Sequence, residues 1–425
     1  MVRIKCTGPL AGALLCCAVL SPLALATDTL SLDLAQTLAA SRSETLSAQR
    51  LEHESAAARA VAAGELPDPK LILGLENLPL AGADAYSLSR DFMTMQRIGL
   101  MQEFPRQAKR KLRADAASAE AELGAAELAV KRLELRRQTA AAWWDLRLAQ
   151  DSLAALQQLV APTDLLAQAA RARLAGGKGG SGEALAAQSA RLALADRLDD
   201  ARRDLARARA WLVRWVGDAG ASADLAAAPP LDRLPLGPEE LLASLEQHAQ
   251  LAVYAPMERR ARSEADLARA ATLPDWSLEV SYARRGPAYA DMLSVMVRMD
   301  LPLFEQRRQA PEARAKALQA EQVEARRSAA LRDYRAGVES ALAEWDAAQR
   351  RLTRVQTELL PLARAEAAAA LAAYRGARGD LAPAVEAQKR EIELQLDTLR
   401  RRKELAAAWI ALAYLVEPAT AGGRP

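Results

Sequence analysis

The chain has little cysteine, and all of it lies close to the N-terminus. Its cysteines are Cys6, Cys16 and Cys17. Arg3 and Lys5 begin a segment that continues as an apolar run and ends in the small-x-small site Ala24-Leu25-Ala26, which is typical of a secretory signal peptide. We therefore predict a signal peptide over 1–26. No cysteine follows the small residues of a lipid-attachment site, so we expect ordinary cleavage after Ala26, which removes all three cysteines. The mature chain should then have no disulfide, thiolate metal site or cysteine nucleophile.

Other chemical signals are equally scarce. The chain has two histidines, His53 and His248, and no carboxylate-histidine or Ser-His pairing accompanies them. The glycine-rich run 176–182 does not follow a strand, which argues against a phosphate-binding loop. We therefore expect no catalysis and no cofactor.

The charge balance and the hydrophobic runs exclude two further classes. A formal net charge of +3 argues against a nucleic-acid partner. Beyond the predicted signal peptide, no run of about 18 uncharged apolar residues predicts a transmembrane helix. A secreted chain of this kind is either soluble or crosses a membrane as strands.

What the chain does contain is an internal repeat. The segment ARLAGGKGGSGEALAAQ, ending at Gln188, is followed 200 positions later by AAYRGARGDLAPAVEAQ, ending at Gln388. Leu66-Pro67-Asp68 recurs as Leu273-Pro274-Asp275, and Pro105 recurs as Pro302. Such self-similarity indicates two similar structural units. Their boundaries are predicted at 27–228 and 229–425.

Most of the chain has a helical pattern, with apolar Ala/Leu stripes and few glycines or prolines. We predict six helices, at 31–63, 106–174, 183–216, 238–272, 305–374 and 381–416. At 1.5 Å per residue the helix over 106–174 spans about 105 Å. The next two helices, placed end to end, match that length, and the last and first helices can do the same for the second unit. The linker 217–237 should then lie at the waist of the molecule.

Four short segments alternate between apolar and polar residues. They form two pairs, 70–78 with 94–104 and 276–283 with 293–301. This period of two is typical of transmembrane β-strands, although a small soluble sheet with one dry face has the same pattern. Four strands cannot close a barrel, so strands that cross a membrane here would require several copies of the chain.

Three segments resemble the TolC-like outer-membrane efflux family. They are LPDPKLILGLENLP (66–79), RDFMTMQRIGLMQEFPRQAKRK (90–111) and the two repeats that end in Ala-Gln. The resemblance implies a mainly α fold with a small β part, in which a long coiled-coil-like α-helical barrel continues into a transmembrane β-barrel built from four strands per chain. It further implies a homotrimer in the outer-membrane lipid that extends into the periplasm.

The same resemblance implies partners and a cargo. Members of the family are exit ducts of tripartite pumps, docked to a periplasmic adaptor (membrane fusion) protein and an inner-membrane transporter of the resistance-nodulation-division type. The first two segments resemble most closely the members that export heavy metals such as copper and silver or cobalt, zinc and cadmium. A drug or dye duct of the same architecture and a soluble periplasmic coiled-coil adaptor or spacer are the alternatives.

The residues that the family places at the periplasmic gate can be mapped onto the two repeats. Tyr374 matches the family's tyrosine and Glu386 matches the second of two acids, whereas Pro383 stands where the first acid would be. Glu183 occupies an often acidic position. Both glutamates could instead be solvated acids of a first helical turn. The resemblance assigns adaptor docking to the turn glycines, which are Gly176, Gly179, Gly376 and Gly379.

Methionine is the one chemical hint about cargo. The strand alternation places Met95, Met101 and Met296 on the face expected to line the lumen. Thioethers are soft ligands that suit Cu(I). Adaptable packing near a channel mouth also explains these methionines, and we prefer this explanation to metal binding.

Overall fold

The computed structural model describes residues 29–376 and 378–416, so the predicted signal peptide lies outside the described residues. The structure is mainly helical with one four-stranded sheet. The helices are α1 (Leu32–Arg42), α2 (Glu44–Ala63), α3 (Gln107–Gln158), α4 (Val160–Ala175), α5 (Ser181–Ser222), α6 (Pro238–Ala243), α7 (Ala249–Ala252), α8 (Tyr254–Ala270), α9 (Gln309–Arg354), α10 (Leu360–Arg375) and α11 (Leu381–Ala413). The strands are β1 (Lys70–Glu76), β2 (Met95–Phe104), β3 (Trp276–Arg284) and β4 (Met292–Met299).

The two longest predicted helices are each interrupted, and the helix that follows each interruption is 16 residues long. The first breaks at Leu159, between α3 and α4, and the second passes through the π-helical turn Val355–Leu359, between α9 and α10. Pro162 and Pro361 lie just beyond these breaks. Proline lacks the N–H that would bond to the carbonyl four residues earlier, so the ladder must be disturbed there. The predictions of unbroken helices over 106–174 and 305–374 were wrong at these points.

Two other predicted helices are also divided. The segment 31–63 breaks at Ser43, whose Oγ accepts a hydrogen bond from the Leu46 N–H at 3.1 Å and so caps α2. The segment 238–272 is not one helix but α6, a 3₁₀ turn, α7 and α8. His248 has an extended backbone between the 3₁₀ turn and α7, with ψ of 135°. Pro256 is tolerated in α8 because it lies in the first turn of that helix.

The largest apolar core lies at the waist, where the linker after α5 crosses the helices. Leu30 forms a single parallel bridge with Leu225, which belongs to that linker. Three tryptophans donate their indole N–H groups to backbone carbonyls of such connecting segments. The pairs are Trp143 with Leu30 at 2.9 Å, Trp345 with Leu231 at 3.0 Å and Trp409 with Arg233 at 2.7 Å. The linker predicted over 217–237 therefore lies at the waist in its later part, whereas 217–222 belong to α5.

The helices continue this core in both directions. On the strand side of the waist α2 packs on α3, α3 on α8, and α8 on α9. On the other side α5 packs on α3 and α4, and α11 packs on α9 and α10. No helix within 29–376 and 378–416 is both long enough and apolar enough to cross a bilayer.

The four strands form an antiparallel sheet in the order β1-β2-β3-β4. Leu73 lies opposite Ile98, Ile98 opposite Tyr282, and Tyr282 opposite Leu293. The predicted strand pairs were therefore correct to within two residues at each end. Within the chain, β1 and β4 are the two edges of the sheet.

Candidate functional site

The sheet has one apolar face that is open to the surroundings. Its exposed residues are Leu71, Leu73, Leu75, Ile98, Leu100, Val280, Tyr282, Leu293, Val295 and Val297. Leu73 is 70% exposed and Val295 is 64% exposed. A contiguous apolar surface of this size marks contact with a membrane or another protein. We call it the apolar face.

The opposite face, which we call the polar face, contains a cluster of charged side chains. Glu279 is only 1% exposed and lies between two arginines. It is paired with Arg97, and its Oε2 lies 2.8 Å from Nη2 of Arg298. Arg97 also pairs with Glu76 and donates from Nε to the hydroxyl of Ser281 at 2.9 Å. These ion pairs join all four strands, which holds the polar face together without an apolar core.

The three methionines singled out from the sequence lie on this polar face but are not a cluster. Met101 and Met296 are each opposite Glu279, one on either side of it. Met95 lies six residues from Met101 along β2, about 20 Å away at the rise of a strand. Sδ of Met101 accepts a hydrogen bond from Arg298 at 3.2 Å.

Among the residues described, no group of three or more His, Cys, Asp or Glu side chains could hold a metal ion.

An ion pair joins the sheet to the long helices. The Asp275 carboxylate, just before β3, accepts from the Arg106 backbone N–H and from Lys109 Nζ, both at 2.9 Å. Lys109 also donates to the Leu273 carbonyl at 2.7 Å. Partial burial by itself would raise the pKa of Asp275, but the bonds from Lys109 and Arg106 outweigh it and hold that pKa below its usual range. The repeated Leu-Pro-Asp motif therefore caps the start of α3 in its second occurrence.

At the far end of the helices the chain makes two similar turns, the first tip (176–180) and the second tip (376 and 378–380). In the first tip the N–H of Lys178 bonds to the carbonyl of Arg173, and in the second the N–H of Arg378 bonds to that of Ala373, both at 2.9 Å. This bond is typical of a Schellman helix end. The residue with positive φ is Gly177, at 67°, and so a glycine that the sequence reasoning did not select is the one that the backbone requires.

The four selected glycines have two different roles in these turns. Gly176 and Gly376 end their helices with ordinary negative φ values, −83° and −79°. A Cβ on Gly179 would lie 3.0 Å from Cβ of Arg173, and one on Gly379 would lie 3.3 Å from Cβ of Ala373. Gly179 and Gly379 thus permit close packing of each tip on the preceding helix.

The two tips pack on each other. The shared apolar cluster consists of Leu166, Ala167, Ala170, Ala184, Ala187, Leu381 and Val385. Tyr374 packs against this cluster, and its ring faces the guanidinium of Arg173, whose Cζ is 5.4 Å from the ring centroid. This cation–π contact joins α4 to α10. Sequence reasoning selected Tyr374 but missed Arg173, because nothing in the spacing showed that the two repeats touch.

The two tip glutamates differ in environment. Glu183 is in the first turn of α5, is half-buried, and its Oε2 has no hydrogen-bond partner among the described residues. Glu386 is exposed and lies in the second turn of α11, not in the first. A helix-dipole explanation therefore fits Glu183 and does not fit Glu386, since the dipole effect fades beyond the first turn.

Comparison with known proteins identifies the fold through structure and not through sequence. No family model and no curated protein sequence matches the chain. A membrane protein from Pseudomonas aeruginosa superposes with a TM-score of 0.77 at 17% identity, over 91% of this chain and 90% of the other. The outer membrane protein VceC of Vibrio cholerae gives 0.75 at 16%, over 90% and 94%.

The open state of the MtrE outer membrane channel of Neisseria gonorrhoeae gives 0.76 at 16% identity, over 90% of this chain and 88% of that one. Each of these matches covers at least 88% of both chains. The expected fold class, mainly α with four short strands, is confirmed. The chain has the fold of the TolC-like outer-membrane channels.

Proposed function

We propose that this protein is the outer-membrane exit duct of a tripartite efflux pump, and that it acts as a homotrimer. The single observation that carries the proposal is the pairing of two unlike ends on one chain. One end is a sheet whose apolar face is exposed and whose edges are unpaired. The other end is a pair of packed helical turns about 100 Å away along the helices.

The sheet end fits lipid better than water. Ten large apolar side chains point away from the polar face, and lipid covers such a surface without a cost in exposed hydrocarbon. The charged side chains of the polar face would then line a watery lumen. A soluble adaptor or spacer would have no reason to keep these apolar residues exposed.

The tip end fits a gate and a docking surface. The cluster between the tips is small, so the tips can part without disrupting the waist core. We assign gating to Tyr374, Glu183 and Glu386 and adaptor docking to the surface around Gly179 and Gly379. Transport through the duct is passive, and the inner-membrane transporter of the resistance-nodulation-division type supplies the energy.

We further propose that the cargo is a heavy-metal ion. The support is the resemblance of the segments 66–79 and 90–111 to metal-exporting members of the family. The methionines add little, because Met101 already accepts a hydrogen bond from Arg298. Weak contacts between a passing metal ion and the polar face suit a duct, because a duct must release the ion that it conducts.

The architecture is tested with the purified protein in planar lipid bilayers. A duct should insert and give stepwise ionic conductance, and it should be extracted from cells only with detergent. A matched control is Leu73→Lys, which puts a charge on the apolar face and should prevent insertion. A protein released by osmotic shock without detergent would instead support the adaptor or spacer alternative.

The cargo is tested by deleting the gene and measuring growth inhibition by copper, silver, zinc, cobalt, cadmium and several hydrophobic drugs and dyes. We expect hypersensitivity to metals alone, and we expect the intact gene to restore resistance. Hypersensitivity to drugs or dyes alone would overturn the metal assignment while leaving the duct in place.

A further inference from the structure

The two edge strands of the sheet, β1 and β4, each have a neighbouring strand on one side only within the chain. In lipid, the backbone groups along the outer sides of β1 and β4 have no water to bond, and an unsatisfied edge is not tolerated. A second copy of the chain offers the complementary edge. The sequence repeat and the observed registers together specify how the two edges meet.

The repeat relates the two hairpins residue by residue. Asp68 is equivalent to Asp275, so counting along the strands makes Leu73 equivalent to Val280. Pro105 is equivalent to Pro302, which makes Ile98 equivalent to Val295 in the same way. Leu73 lies opposite Ile98 in the first hairpin, and Val280 lies opposite Val295 in the second. The sequence motifs and the two registers therefore agree.

The remaining pairing, β2 with β3, shows how one repeat unit joins the next. There Ile98 lies opposite Tyr282. The equivalent of Ile98 is Val295, and the equivalent of Tyr282 is Leu75. We propose that β4 of one copy pairs antiparallel with β1 of a second copy, with Val295 opposite the partner's Leu75. This inference rests on the proposed trimer, to which it adds the register of the interface.

The side chains that this register brings together are compatible on both faces. On the apolar face Val297 meets the partner's Leu73, so the apolar surface continues across the boundary. On the polar face Asp300 meets the partner's Lys70, and both side chains are exposed within the single chain. Met296 meets the partner's Gly74, where an added Cβ would have nothing within 4 Å.

Neighbouring registers are less favourable for a reason independent of the repeat. A slip by one residue would turn the apolar side chains of one strand toward the polar face. A slip by two in one direction would place Arg298 opposite the partner's Lys70 and Asp300 opposite the partner's Asp68. Like charges directly opposite are destabilising. A slip by two in the other direction leaves Asp300 opposite the partner's Ile72 and loses the ion pair.

Disulfide trapping tests the register directly. Directly opposite residues have Cα atoms about 4.5–5.5 Å apart and diagonal neighbours about 7–8 Å, whereas a disulfide requires roughly 4.4–6.8 Å. Three double variants share Met296→Cys and add Gly74→Cys, Ile72→Cys or Glu76→Cys. Each reports one register, and the mature chain is expected to contain no other cysteine. Within one chain these positions lie on opposite edges of the sheet, about 14 Å apart, so every bridge joins two copies.

We expect mild oxidation of membranes to give covalent trimers on non-reducing gels with G74C/M296C alone. A stronger bridge from either of the other two pairs would overturn the register. The oligomeric state of each variant in detergent is measured in parallel. A trimer that none of the pairs bridges would overturn the register and leave the proposed function standing, whereas a monomeric wild type would remove the proposed function itself.

A second measurement does not depend on cysteine chemistry. The variants Lys70→Ala, Asp300→Ala and the double variant form a cycle for the heat-dissociation temperature of the trimer. We expect the double variant to lose less than the sum of the single losses, because the two side chains pair across the interface. Additive losses would contradict the pairing. The cycle also cancels the contact of Lys70 with Glu103 within the chain.

Discussion

The contact between Arg173 and Tyr374 leads to a quantitative prediction about the gate. It joins α4 to α10 at the tips, with the guanidinium carbon 5.4 Å from the ring centroid. Because Tyr374 packs against the tip cluster and is half-buried, a contribution of about 1 kcal/mol per chain is reasonable. If the contact breaks when the channel opens and the three chains of the proposed trimer open together, it favours the closed state by about 3 kcal/mol, or roughly 100-fold in the closed-to-open ratio.

The substitution that removes this energy while keeping apolar contact is Tyr374→Leu. We expect it to raise the open probability of single channels in planar bilayers by up to roughly 100-fold. Tyr374→Phe is the matched control, because phenylalanine retains the ring that faces Arg173. Arg173→Gln removes the other partner of the contact and should raise the open probability as much as Tyr374→Leu does.

The comparison between the two Tyr374 variants can refute the reasoning. If Tyr374→Phe opens the channel as much as Tyr374→Leu, the hydroxyl and not the ring face holds the tips. If neither variant nor Arg173→Gln changes the open probability, the contact joins the tips structurally and does not gate the channel.

Three further predictions concern the gate, the waist and its neighbourhood. Glu386→Gln should increase ion leakage through the channel in bilayers. It should also reduce the preference for cations, because three carboxylates around a closing pore attract cations. Unchanged conductance and unchanged cation preference would contradict a gating role. Trp143→Phe removes the 2.9 Å hydrogen bond to the Leu30 carbonyl, which keeps its bond from the Ala226 N–H at 3.2 Å, so thermal unfolding should show a loss of about 0.5–1.5 kcal/mol, and an unchanged melting temperature would be contrary evidence. Burial lowers the pKa of His248 below 6.5, despite an opposing backbone hydrogen bond at Leu241, so the folded state resists protonation. Stability should therefore fall as the pH drops below about 6.5, and His248→Gln should lose less over that range in pH-dependent unfolding; an equal loss would assign the acid sensitivity to other groups.

The strands show which features of the fold can be predicted from local sequence patterns. Alternation identified all four strands and placed Arg97 and Glu103 on one side and Ile98 and Leu100 on the other, because successive side chains of a strand point to opposite faces. It could not reveal that Glu279 would lie between Arg97 and Arg298. That cluster depends on the register between β2, β3 and β4, and register is a relation between segments far apart in the chain.

The helices show a different limit. Composition and periodicity correctly indicated long helices, but the interruptions at Leu159 and Val355–Leu359 depend on single prolines within strongly helical sequence. The break at His248 has no comparable local signal. There the chain leaves the helical path where His248 packs edge-on against Tyr334, at a centroid distance of 5.5 Å.

By itself the sequence determined the element types, the two-fold repeat, the waist linker and the two-faced strands, because each follows from local periodicity or from self-similarity. Only the tertiary structure decided what these elements bring together. The packing of one tip on the other, the contact of Arg173 with Tyr374 and the buried Glu279 all join residues that are distant in sequence. Such contacts depend on how helices and strands pack in three dimensions, which no local pattern encodes.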